Sequence, residues 1–111
     1  MREISMSEFE RLGGIHQKGS MLPRELMPRE KAWFQEGEIL GIVLEDQIDF
    51  DWSWVCLAKH PDRGWRYRAI DAAASLSSFE KAKEALAATM RKEASAWSRW
   101  RDVMNNDPEP D

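Results

Sequence analysis

The stretch EGEILGIVLEDQIDFDWSWVCLAKHPDRGWRYRAI, from Glu36 to Ile70, alternates apolar and polar residues between turn signals, and its reading decides the fold. A period of two places successive side chains on opposite faces of a pleated strand, so EILGIVLE, FDWSWVCLAKH and WRYRAI read as three antiparallel strands. The preceding KAWFQ adds a fourth, joined through a tight turn at Glu36-Gly37. Pro61-Asp62-Arg63-Gly64 forms the clearest local turn, with Pro where φ is preset and Gly where a left-handed residue is useful. Along the third strand Phe50, Trp52, Trp54 and Cys56 share a face. Trp65 and Tyr67 on the fourth strand are expected to extend that aromatic ladder into one surface.

Outward from this meander the pattern changes in both directions. After Ser77 and Ser78, either of which can cap, good helix formers run on without Pro or Gly, and the spacing predicts one long helix over residues 77–104. Phe79, Ala82, Leu86, Met90, Glu93, Trp97, Trp100 and Met104 follow steps of three and four, giving a stripe that needs a sheet to cover. Before the sheet, SMSEFERLGG predicts a short helix with capping-box spacing at Ser5 and Glu8 or Ser7 and Glu10, stopped by Gly13-Gly14. Residues 15–30 contain Gly19, Pro23 and Pro28 and read as an irregular arm with one helical turn, docked through Ile15, Met21, Leu22, Leu26 and Met27. The expected fold is α+β: a four-stranded antiparallel meander over residues 31–71, covered by a long C-terminal helix, with a short N-terminal helix and arm over residues 1–30. Residues 1–104 form a single compact domain in this reading, and the acidic, proline-bearing tail 105–111 is disordered.

Composition narrows the function classes. A chain of 111 residues suits one domain, and 42% hydrophobic content with six Trp supplies a core, so the mean hydropathy of -0.64 reflects surface charge rather than disorder. The single cysteine, Cys56, excludes an intramolecular disulfide and fits a buried thiol in a reducing compartment, hence a cytoplasmic expectation. No apolar run reaches membrane-span length, and MREISMSEFE lacks the hydrophobic core of a secretory signal. The net charge of -4 argues against coating nucleic acid by bulk electrostatics.

Charge is nonetheless segregated. Between Glu36 and Asp51 lie six carboxylates and no basic residue. The carboxylates Glu45, Asp46, Asp49 and Asp51, with Glu36 and Glu38 on neighbouring strands, form the candidate contact for a protein with a basic surface; the plain alternative is a solvated loop that blocks edge pairing. Calcium fits poorly, because the spacing lacks the alternating ligands, central Gly and terminal Glu of an EF-hand. Arg63, Arg66 and Arg68 on the last hairpin are the alternative, a nucleic-acid-binding face, with Arg91, Lys92, Arg99 and Arg101 beside Trp97 and Trp100 on the helix. Their plain alternative is cover for sheet and helix by aliphatic stems. Catalysis by Cys56 with His60 is geometrically excluded in a regular strand, where four residues separate the two by about 13 Å. His16 could approach from the arm, but a lone Cys in an aromatic strand is ordinarily core, and two histidines with one cysteine fall short of a zinc site. No cofactor motif is present.

The segments GIVLED, DWSWVCLAKHPDRGWRYR and SFEKAKEALAA resemble those of small, uncharacterised bacterial and phage-associated Trp-rich α+β proteins, in which Trp-rich hairpins precede an Ala-rich helix. The resemblance covers roughly residues 31–92 and its motifs are structural. It implies a mobile-element or host-interaction accessory role and carries over no active residue. The expected function is therefore a non-enzymatic protein-binding, inhibitory or regulatory domain, with homo-oligomerisation through exposed aromatics as a further possibility.

Overall fold

The computed structural model describes residues 1–17, 23–60 and 64–106. Met21 and Leu22 of the arm, Arg63 with most of its turn, and residues 107–111 of the tail lie outside the described residues. The elements are β1 (Arg2–Ile4), α1 (Met6–Arg11), a single 3₁₀ turn (Arg24–Leu26), β2 (Arg29–Glu36), β3 (Ile39–Glu45), β4 (Trp52–His60), β5 (Arg66–Leu76) and α2 (Phe79–Asn106). All neighbouring strands are antiparallel, in the spatial order β1-β2-β3-β4-β5.

The α+β architecture and the C-terminal helix match the sequence pattern, but the sheet has five strands rather than four. The additional strand, β1, is three residues long and pairs Arg2, Glu3 and Ile4 with Gln35, Phe34 and Trp33. So short a strand has no periodicity of its own to read, and the edge of β2 supplies its conformation. At the other edge β5 continues past Ile70 through DAAASL, a sequence with little strand propensity. Pairing with β4 recruits it: Ala72 and Ala73 lie opposite Val55 and Trp54, and Leu76 opposite Trp52. Two breaks in register, one at Ile70 and one near Ser75 with its left-handed φ of 63°, bend β5 to follow its partner.

The strands alternate cleanly enough to build two cores. Ile39 and Val43 of β3 face α2 with Phe34, Trp54 and Cys56, whereas Leu40, Ile42 and Leu44 face the opposite side with Leu57. The first side is the helix face and the second the arm face. On the helix face α2 contributes Ala82, Leu86 and Met90, all fully buried, with Phe79, Ala85, Ala94 and Trp97 partly so. Ser78 caps α2 by accepting a bond from Lys81 N at 3.1 Å, and the helix runs to Asn106, so residues 105 and 106 belong to it rather than to a tail. The side chains of Trp100 and Met104 lie outside the described ones. Gly41 sets the closeness of the approach: a Cβ there would stand 2.6 Å from Met90 Sδ and 2.9 Å from Leu86 Cδ1. Among the described residues the indole N–H of buried Trp54 meets no acceptor, a polar cost this face carries.

The aromatic ladder divides between the two faces. Trp52 and Trp54 pack on the helix face, but Tyr67 pairs with Lys59 and is buried on the arm face with Ile4 and Phe9. Trp65 precedes β5 with a φ of 62°, which breaks the alternation, and its half-exposed ring meets Trp97 edge to face at 6.3 Å. Phe50 is not in the core at all, being 73% exposed.

The arm face is covered by α1, which Ser5 caps through a 3.1 Å bond from Glu8 N, with Phe9 as its fully buried anchor. Gly13 ends the helix with a φ of 93°. The arm docks differently from the sequence expectation, since Ile15 and Leu26 are exposed and Met27 is half-buried. Polar contacts to Glu30 hold residues 16 and 17 instead.

Candidate functional site

The β3–β4 loop is where the sequence predicted an acidic contact, and its local chemistry sorts the four carboxylates into different roles. Asp46 turns inward on the loop: its Oδ1 accepts from Ile48 N at 2.7 Å and Asp49 N at 3.0 Å, while its own N–H donates to Asp51 O at 2.9 Å. The backbone donors at Asp49 and Ile48 stabilise the charged form and hold the Asp46 carboxyl below its ordinary value. Asp46 is therefore a fastener of the loop, not a free contact. Glu45 is similarly engaged, because Gln47 Nε2 donates to both its carbonyl and its Oε1 at 3.1 Å.

Closing the loop in this way forces Phe50 into the left-handed region, at a φ of 58°. That conformation costs a bulky residue on the order of 1 kcal/mol, and the ring gains little burial in return. Ile48, Asp49 and Phe50 are exposed, with Ile48 at 49%, and Asp51 is half-exposed. The loop thus presents an exposed apolar pair, Ile48 and Phe50, alternating with Asp49 and Asp51 on a hydrogen-bonded backbone. Sequence periodicity assigned Phe50 to the core because it continues the spacing of Trp52 and Trp54, and only the bond from Asp46 N to Asp51 O shows that β4 starts later.

Glu36 and Glu38 do not belong to this end. They sit at the β2–β3 turn, the length of β3 away, which at ordinary rise is about 20 Å. There Glu36 pairs with the N-terminal ammonium of Met1 at 2.9 Å. The six carboxylates therefore divide between opposite ends of the sheet.

Arg66 and Arg68 lie at the end of the sheet near Glu36, opposite His60 and Ala58 on edge strand β5, and both are exposed. With Ile15, Tyr67 and Ala69 they line an open cavity of about 500 Å³. Arg63 lies outside the described residues. Arg91, Lys92 and Arg99 are exposed on α2, and Trp97 is partly buried with its Nε1 donating to Lys59 O at 3.3 Å.

Cys56 is fully buried, and burial pushes its thiol up to about 12, so at neutral pH it is a packed thiol and not a thiolate. Among the described residues no three His, Cys, Asp or Glu side chains come together to hold a metal ion. One polar cluster escaped the sequence reading: His16 stands between Glu10 and Glu30, whose meeting depends on a strand irregularity that spacing does not announce. No helix among the described residues is long and apolar enough to cross a membrane. No protein-family model matches the chain, and neither the curated proteins nor the solved structures give a significant match.

Proposed function

We propose that this chain is a small non-enzymatic protein-binding domain of inhibitory or regulatory type, acting in a reducing, cytoplasmic compartment. Its contact is the β3–β4 loop, which engages a basic surface on another protein. The observation that carries this reading is Phe50, held 73% exposed on a left-handed backbone by the bonds around Asp46. An aromatic ring displayed rigidly between carboxylates suits an interface anchor: the ring fills an apolar pocket while Asp49 and Asp51 meet Arg or Lys at the rim. A partner that normally binds nucleic acid offers such a basic surface, and occupation of it displaces the usual ligand by charge mimicry. The resemblance to phage-associated Trp-rich proteins supports a mobile-element or host-interaction setting for this activity.

Co-purification of partners from the native host tests the reading, comparing wild type with Phe50→Gly and with Asp49→Asn/Asp51→Asn. Asp46 is kept, since removing it opens the loop. Both variants fold and lose the same partner, the double variant more at moderate salt; recovery of that partner at wild-type level by both would sink the proposal.

A second reading is favoured by the pair of exposed arginines around the cavity on β5. In it Arg66 and Arg68 contact phosphates and Tyr67 forms the floor. Fluorescence anisotropy with duplex and single-stranded probes at two salt concentrations discriminates: salt-weakened binding that Arg66→Ala/Arg68→Ala abolishes establishes nucleic-acid binding in place of the loop proposal.

A further inference from the structure

Residues 13–17 cross the arm face and press on two buried aromatic rings. A Cβ at Gly14 would stand 2.5 Å from the Phe9 ring, and one at Gly13 would meet Tyr67 at 3.7 Å, so the backbone itself forms the cover. Gly14 N donates to Phe9 O at 2.9 Å, tying the near end to α1. The far end is fastened through His16. Its Nε2 lies 2.9 Å from Glu10 Oε1 on α1, and its Nδ1 lies 3.0 Å from both Glu30 oxygens on β2.

Neutral imidazole carries one N–H, so both contacts can be donor to carboxylate only when the ring is imidazolium. The two carboxylates approach opposite ring nitrogens and so bridge two elements instead of converging on a metal position. Glu30 reaches this place because β2 slips register at Lys31, which puts Glu30 on the arm face opposite Leu44, alongside Trp33. It is held there independently of residues 13–17 by Trp33 Nε1 at 3.0 Å, and it also accepts from Gln17 N of that segment at 3.2 Å. The charged groups acting on the imidazole are Glu10 from α1 and Glu30 from β2, and the Phe9 ring packs beside it at 5.4 Å.

We propose that His16 is a protonation-operated latch. As imidazolium it joins α1 to β2 and holds residues 13–17 down over Phe9 and Tyr67; on deprotonation one carboxylate loses its donor and the cover loosens. The hydrogen bonds to Glu10 and then Glu30 raise the imidazole above its ordinary 6.5, outweighing desolvation. A folded-state value above the unfolded one means that the latch contributes fully below pH 6.5 and is lost as pH rises through the folded-state value. The latch is independent of the β3–β4 loop.

Proton NMR of the imidazoles, with His60→Asn to assign the signals, and amide exchange of Gly14 and Gln17 corrected for intrinsic rate test the proposal. The His16 midpoint lies above 6.5 and falls toward it in Glu10→Gln and in Glu30→Gln. Protection of Gly14 and Gln17 drops several-fold between pH 5.5 and 8.5 in wild type, while Leu86 and Met90 amides keep theirs. In His16→Gln the drop disappears. A midpoint at or below 6.5, or protection at Gly14 and Gln17 that does not change with pH in wild type, overturns the latch.

Discussion

On the helix face, the 28 residues of α2 lay Ala82, Leu86 and Met90 across β3 and β4, and closure comes from apolar area. On the arm face, the six residues of α1 contribute one anchor, Phe9, and the rest of the cover is a strap of backbone fastened to Glu10 and Glu30 through His16. Burial in the first case is non-directional and barely depends on pH; in the second it depends on a titratable ring and on the exact side to which Glu30 points. One sheet thus carries a durable core and a conditional one, and the difference follows from how much helix each face receives.

The sharpest way to break this contrast is to empty one site on each face. Phe9→Ala is expected to lose roughly 3 to 5 kcal/mol and Leu86→Ala about 2 to 5 kcal/mol by urea unfolding, because both side chains are fully buried. A loss below about 1 kcal/mol for Phe9→Ala would make the arm face a mere appendage. Next in size, Gly41→Ala should cost about 1 to 3 kcal/mol, since the new methyl meets Met90 and Leu86 and lifts α2 from β3. A neutral result would show that the helix face is looser than its packing implies.

The exposed loop sharpens the comparison from outside both cores. Phe50→Gly removes left-handed strain while uncovering little apolar surface, so thermal melting should show a gain of up to about 1 kcal/mol. Stability gained together with partner binding lost marks Phe50 as kept for recognition. The smallest effect belongs to His16. The excess stability of wild type over His16→Gln, measured by urea unfolding, should be present at pH 5.5 and diminish toward pH 8.5, with a size under about 1 kcal/mol because the contact stays partly in water. An excess that grows with pH would reverse the latch.

The legibility of these regions in the sequence followed the same division. The Phe79, Ala82, Leu86 and Met90 stripe and the alternation of β3 and β4 were readable because each repeats its period several times. Phe50 misled because spacing alone cannot see a loop closed by Asp46 and Asp51. Tyr67 misled because the extra residue at Ile70 shifts its pairing to Lys59 and so moves it to the arm face, away from Trp54 and Cys56. Of the predicted acidic contact, Asp49 and Asp51 remain available at the loop, whereas Asp46 and Glu45 are bonded within it.

By itself the sequence determined the α+β class, the order of the long elements and the presence of an acidic loop, since periodicity, capping residues and turn chemistry are local properties of the chain. Tertiary structure alone decided the short edge strand β1, the recruitment of the Ala-rich end of β5, the exposure of Phe50 and the meeting of Glu10, His16 and Glu30. Each of these depends on register between strands, and a slip of one residue, as at Lys31 or Ile70, changes which face a side chain joins without leaving a mark in the local pattern.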